Sequence, residues 1–519
     1  MSTILSADDL NDFITPGLAC IKPVEVLNPV SGPNNGSAEI TIGSDGAPLE
    51  EGQALPQAQI SLQDCLACSG CITSAEAVLV ELQSPKELLK QLELAKEASK
   101  KSNNADVMDP PVQAADRVDK LKRHHSPHGM EFVLSVCPQT RASLAQGFNL
   151  SIPEVDQKLE SFFVETLGFR CVVGTEIGRS LSLEESWRET NSKQGQLTLS
   201  SICPGWTLYA EKTHKEIIQY LSTVRSPQQI TGHLLKHLLS EELSICPKTI
   251  YHVSLMPCFD KKLESARPEF MYDDAREVDL VITAKEFIDM LQSQFDTNFT
   301  SIGNKNQVSN DRISRLPKSW PSAQDMLSND GSGSGGYLAY ILAKHLKDST
   351  NSLEVVTGKN SDFIEYHIRN ANMETIFKGA QVNGFRNIQN IVRKLKLKSG
   401  NSKSTTAARR AQVRSVRSKQ AQNFDVSDHQ YVEVMACPGG CLNGGGQINP
   451  PADVPLKQWI SDLEKKYQQI PNLDVNSDLY DKYLGLMKGM STEKLLRTQY
   501  KYIEVDDSSV SAISVGTQW

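Results

Sequence analysis

No apolar stretch in the 519-residue chain approaches the roughly 20 residues needed to cross a bilayer, so a membrane span is not expected. The first residues, MSTILSADDLNDF, carry acids and no basic-then-apolar run, which argues against a secretory signal. Aromatic residues are sparse at 6%, the 10 histidines show no metal-ligand spacing, and no internal repeat is visible. A net charge of -8 with 39% hydrophobic residues excludes global disorder and gives no basis for wholesale nucleic-acid binding.

What is present in quantity is cysteine, 11 in all. With no secretory signal, a reducing cytoplasmic or nuclear setting is expected, in which an odd number of cysteines reads as thiols and metal ligands rather than disulfides. Eight of them fall into two groups of four. Cys20 in PGLACIKP precedes Cys65, Cys68 and Cys71 in CLACSGC, whereas Cys203 (SSICPGW), Cys258 (SLMPCFDKK), and Cys437 and Cys441 (ACPGGCLNGGG) are scattered over more than 200 positions. Cys137, Cys171 and Cys246 are read as structural, the first two as small apolar residues beside strands and the third in a turn.

From Glu131 onward, short β-branched runs alternate with longer helical patterns: FVLSV at 132–136, IYHVSLM at 250–256, VDLVIT at 278–283, LEVVTG at 353–358 and YVEVM at 431–435. Alternation of this kind indicates an α/β fold. Two of the runs lead directly into Cys258 and Cys437, as expected if the site lies beyond the carboxyl ends of the strands. Residues 1–125 are expected to form an amino-terminal cluster segment with flexible insertions, 126–450 the core, and 451–519 a helical extension and tail. Core insertions are expected near 299–334 and 393–425. Residues 393–419 hold ten Lys or Arg and no acid, leaving -18 on the remainder; the tract reads as a solvated loop or as a nuclear-import or nucleic-acid contact. Leu456, Trp459, Ile460, Leu463, Tyr467 and Ile470 share one helical face and should pack on the core, with Pro455 opening the helix.

The C-x2-C-x2-C spacing suits three corners of an iron–sulfur cubane, and fits the closed tetrahedron of a zinc site less well, though zinc remains an alternative. A bacterial-type fourth cysteine would fall at Ala75, so Cys20 is the candidate for the remaining ligand. In CPGGC, Gly439 and Gly440 let the backbone bend until both thiols face one site, and Gly444 to Gly446 permit close backbone approach.

CPGW, MPCFDKK and CPGGC in this order resemble the signature of the iron-only hydrogenases, as do SPQQITG at 226–232 and SGSGGYLAY at 332–340. The resemblance implies a bilobal α/β core with a [4Fe-4S] cluster on Cys203, Cys258, Cys437 and Cys441, and a pocket lined by Lys261, Met256 and Met435. Hydrogenases carry a proton-delivering cysteine immediately before the CPGW cysteine; here the residue is Ile202, which cannot relay a proton.

SADDLNDFITPGLACIKP, CLACSGC, GFRNIQNIVRKL and the terminal VGTQW look like the eukaryotic hydrogenase-like cytosolic iron–sulfur assembly factors, the NAR family of fungal type. That likeness implies two [4Fe-4S] clusters, the first in a ferredoxin-like segment on Cys20, Cys65, Cys68 and Cys71, and the first should be the more exchangeable. It implies a non-catalytic carrier passing clusters from a cytosolic scaffold to a targeting complex, and through it to apo iron–sulfur proteins. Trp519 is either a frayed end or a docking signal for that complex, its indole supplying apolar area and its carboxylate a charge. The competing functions are a hydrogenase-type redox enzyme and a zinc-stabilised adaptor.

Overall fold

The computed structural model describes residues 80, 82–105, 129–193, 195–303, 315–320, 326–331, 333–357, 362–398, 426–473, 475, 477–487 and 491–503. All fall in a compact unit spanning Val78–Trp519, distinct from Met1–Ala77. Cys20, Cys65, Cys68, Cys71, Trp519 and most of the basic tract lie outside the described residues.

Two sheets organise the core. The first has the order β2 (Cys171–Gly174), β1 (Glu131–Val136), β4 (Ile250–Met256), β7 (Leu280–Thr283), every pair parallel, with Val133 opposite both Cys171 and His252. Parallel strands covered on both faces read as nearly unbroken apolar runs, as VLSV and LVIT do. The polar exceptions satisfy one another. Ser135 Oγ lies 2.9 Å from Ser254 Oγ and 2.8 Å from His252 Nε2, while His252 Nδ1 lies 2.8 Å from the Glu277 carbonyl. Burial holds the His252 pKa down to about 3, so the ring is neutral, donating to the carbonyl and accepting from Ser135.

The second sheet is mixed. β3 (Thr198–Ser200), β11 (Tyr431–Met435) and β10 (Thr375–Asn383) are parallel, and β9 (Phe363–Arg369) and β8 (Ser352–Thr357) continue it antiparallel to an exposed edge. A two-residue hairpin, β5 (Met271–Tyr272) with β6 (Ala275–Arg276), stands apart. Runs 250–256 and 431–435 form strands over the expected residues, and the run at 278–283 begins as a strand only at Leu280.

Helix α1 (Pro85–Ala105) buries Leu88 and Leu92 in the main apolar cluster beside Phe287. Residues 85–105, expected within the amino-terminal segment 1–125, pack on the core here, because the helix carries an apolar face that the core covers. The stretch expected as a surface insertion at 299–334 also enters the core in part, since Phe299, Leu316, Trp320, Met326 and Ser328 are buried. Its polar, glycine-rich composition concealed these anchors. Trp459, Leu463, Tyr467 and Ile470 pack inward, whereas Leu456 stays exposed at the helix start. Among the described residues no helix is long and apolar enough to cross a membrane.

Candidate metal centre

Five strands end at one cavity, lined by Cys137, Thr175, Cys203, Cys258 and Cys437 just beyond β1, β2, β3, β4 and β11. Four helices begin there. α2 (Pro138–Gly147) is capped by the Cys137 side chain and α5 (Pro227–Leu243) by that of Ser226, while α3 (Glu176–Ser192) follows Thr175 and α4 (Pro204–Thr213) follows Cys203. Proline opens α2, α4 and α5, its fixed φ suiting the first helical position. Each helix start carries partial positive charge from unpaired N–H groups, so the cavity favours anions.

Cys203 is seated by Ser201, whose Oγ donates to the Val434 carbonyl (2.5 Å) and accepts from the Cys203 N–H (3.0 Å). This ties the CPGW turn to β11. Cys258 follows β4 and precedes the short helix α6 (Asp260–Ser265). The CPGGC turn closes through Gly440 N–H on the Cys437 carbonyl (3.0 Å), with Ser334 Oγ accepting from Cys441 N–H (3.3 Å). Gly440 has φ +77°, and a Cβ there would meet Ser334 Oγ at 1.7 Å. Gly444 lies against the Pro257 carbonyl, 2.4 Å from where its Cβ would stand. These two glycines let the CPGGC loop press onto both Ser334 and the Cys258 turn.

The structure brings Cys203, Cys258, Cys437 and Cys441 together with Lys261, Met256, Met435 and Ile202 around the cavity. Cys441 Sγ lies 3.7 Å from Met435 Sδ. Burial pushes the Cys258 thiol pKa well up, and Asp260 and the other three thiols push it further. Cys203 is raised by burial and Asp260, and Cys441 by burial and Cys203. Burial also raises the Asp260 carboxyl to about 6. For Lys261, burial disfavours the charged form, but Glu264 at 2.7 Å outweighs it and keeps the ammonium. With the Cys203, Cys258 and Cys441 thiols all raised, the four become thiolates together only with a cationic centre to hold, since thiolates this near one another repel. Among the described residues no three His, Cys, Asp or Glu side chains stand close enough to hold a single metal ion. Four cysteines from three segments around one cavity suit a cluster with separated corners.

Residues 130–445 match the family model for the iron only hydrogenase large subunit, C-terminal domain. The chain resembles the cytosolic Fe-S cluster assembly factor NAR1 of Yarrowia lipolytica, 41% identical over 99% of this chain and all of that one. It is 42% identical to the protein of the same name from Scheffersomyces stipitis, over the whole of both. The chain belongs to the NAR1 family of cytosolic Fe-S cluster assembly factors. Among solved structures, apo [FeFe]-hydrogenase HydA1 from Chlamydomonas reinhardtii, in a single-residue variant, aligns at TM-score 0.53 and 21% identity, over 76% of this chain and all of that one. At that identity the likeness establishes the shared fold.

In this NAR1-family chain Cys137 packs beside β1 with Met256, Val278 and Val281 as expected, and the structure adds further residues to the site. Cys137, expected only as packing, lines the cavity; its Sγ accepts from Thr140 N–H (3.4 Å) and lies 3.1 Å from Thr140 Oγ1. It stands between β1 and Pro138, the same strand–Cys–Pro–helix arrangement that carries Cys203, and that parallel was a usable signal. Thr175, Arg179 and Gln228 line the cavity too. Arg179 has no local signature, because its place depends on Tyr467, which is 288 positions away. Cys171 and Cys246 fall as expected, one buried in β2 and one exposed before β4.

Proposed function

We propose that the chain holds two [4Fe-4S] clusters, one on Cys20, Cys65, Cys68 and Cys71 and one on Cys203, Cys258, Cys437 and Cys441, and serves cytosolic iron–sulfur assembly as a non-catalytic carrier. The observation that carries this reading is the convergence of four cysteines from three distant segments on one cavity, with Ile202 where hydrogen chemistry would need a proton donor. A cluster bound there supplies a delocalised one-electron centre. The protein's own part is to hold it: four thiols anchor it, Met256, Met435 and Ile202 exclude water, and helix starts with Lys261 offset negative charge.

In this reading the chain receives clusters from a cytosolic scaffold and delivers them through a targeting complex to apo iron–sulfur proteins. The first cluster is the exchangeable one, and Trp519 is the docking signal for the complex. Anaerobically purified protein should contain about eight iron and eight sulfide per chain with broad visible absorption; zinc in colourless protein would overturn the proposal. Hydrogen uptake or evolution should not exceed that of free cluster. Removing Trp519 should weaken capture of the targeting complex with iron content unchanged, and an undiminished pull-down would refute the docking role.

A further inference from the structure

Arg179 is 2% exposed and is held at the cavity by parts of the chain far from the cysteines. Its Nε donates to the Gly335 carbonyl (3.1 Å) and its Nη1 to Tyr467 Oη (2.6 Å), which also accepts from Ser328 Oγ (3.0 Å). Nη2 has no partner. Across from it, Gly178 packs so tightly on α5 that a Cβ would stand 2.5 Å from the Pro227 carbonyl, and the next residue along is Gln228, 1% exposed. The Gln228 amide nitrogen donates to the Lys261 carbonyl (3.2 Å) and to Glu264 (3.4 Å), which fixes the amide and leaves Oε1 without a partner.

Two residues that line the cavity therefore each carry a buried polar atom without a partner, one a cationic donor and the other an acceptor. A buried guanidinium edge costs free energy unless an anion meets it. Glu433, a buried carboxyl among the groups acting on it, leaves its own Oε1 unpartnered and so makes no hydrogen bond from that atom to Nη2; burial raises its pKa to about 7, and it offsets only part of the charge. The cavity is also uneven. Arg179 is among the charges acting on Cys137 and Cys441, whereas the largest charge on Cys203 and Cys258 is Asp260. Sulfur and apolar groups make up much of the remaining lining, from Met256, Met435, Ile202, Pro138 and Pro227. Such walls discriminate against strongly hydrated dianions.

We propose that the Arg179–Gln228 side of the cavity binds a small, weakly hydrated monoanion bearing one hydrogen, of the hydrosulfide class. Arg179 Nη2 donates to the anion's lone pair, and Gln228 Oε1 accepts its hydrogen. The site lies beside Cys441 and rests on the four-cysteine centre being filled, so iron content and binding are read separately.

The test is anaerobic calorimetric titration of the full-length, iron-loaded protein with sodium hydrosulfide. One saturable site is expected. Arg179→Gln should weaken it roughly tenfold or more, Gln228→Leu several-fold, and Gln228→Glu should abolish it by repulsion, each with iron, sulfide and the electron paramagnetic resonance signal of the cluster retained. Should Arg179→Gln fail to load iron, Gln228→Glu alone decides. Absence of saturable binding to the loaded wild-type protein would overturn the proposal, leaving a buried water or the cluster itself as the partner of Arg179. Undiminished binding in the loaded Arg179→Gln or Gln228→Glu protein would overturn it as well.

Discussion

The two sheets contribute to the site in different ways. Every strand of the first is parallel and enclosed, and β1, β2 and β4 each end at the cavity. In the second, the parallel strands β3 and β11 reach the cavity, while the antiparallel pair β8 and β9 runs out to an edge where Leu353 and Val355 are 40% and 50% exposed. A parallel strand followed by a helix aims both a chain turn and a helix start at the same point. An antiparallel strand turns back and offers neither. The chemistry therefore follows parallel topology, and the outer antiparallel strands widen the scaffold.

The contrast is most severely broken at a parallel strand end. Cys258→Ser should remove the second cluster and take iron from about eight to about four per chain, measured by metal analysis with the protein still folded. Gly440→Ala should come next: a left-handed position and a contact with Ser334 together cost roughly 2 kcal/mol or more, read as a lowered denaturation midpoint and partial loss of iron. Within β11, Glu433 gives a pH effect. Its pKa, pushed by burial up to about 7, lies above the unfolded value, so the native state binds the extra proton. Its contribution is fully present below the unfolded pKa and is lost as pH rises towards 7, by about 1 kcal/mol per pH unit. Glu433→Gln should flatten that slope in denaturant titrations of the metal-free chain. At the outer edge, Val355→Ser should change stability by less than about 0.5 kcal/mol and leave iron content as it was. A large loss of iron from Val355→Ser would erase the distinction between the two kinds of strand.

The parallel strands were partly legible because their β-branched runs are bounded by turns, as at Ile250–Met256 and Tyr431–Met435. β2 and β3 were not. At four and three residues they carry too little pattern, and their pairing with longer neighbours makes them strands. The four scattered cysteines were legible through their motifs, whereas Arg179 sits in ordinary helical sequence and Gln228 in SPQQITG, a motif read for the resemblance and not for that side chain. Their role depends on which polar atoms burial leaves unmet, a property of the packed molecule. The amphipathic helix after the last cysteine showed its apolar face in sequence, but nothing there told that Tyr467 reaches through to hold an arginine at the cavity.

The most direct test replaces the first cysteine group in the full chain, with Cys20, Cys65, Cys68 and Cys71 all changed to Ser, and quantifies metal and sulfide alongside Mössbauer spectra of the iron-enriched protein. The convergence of Cys203, Cys258, Cys437 and Cys441 on one cavity predicts about four iron and four sulfide per chain with the signature of a single [4Fe-4S] cluster. A folded protein that holds no iron, or one zinc ion, would contradict it.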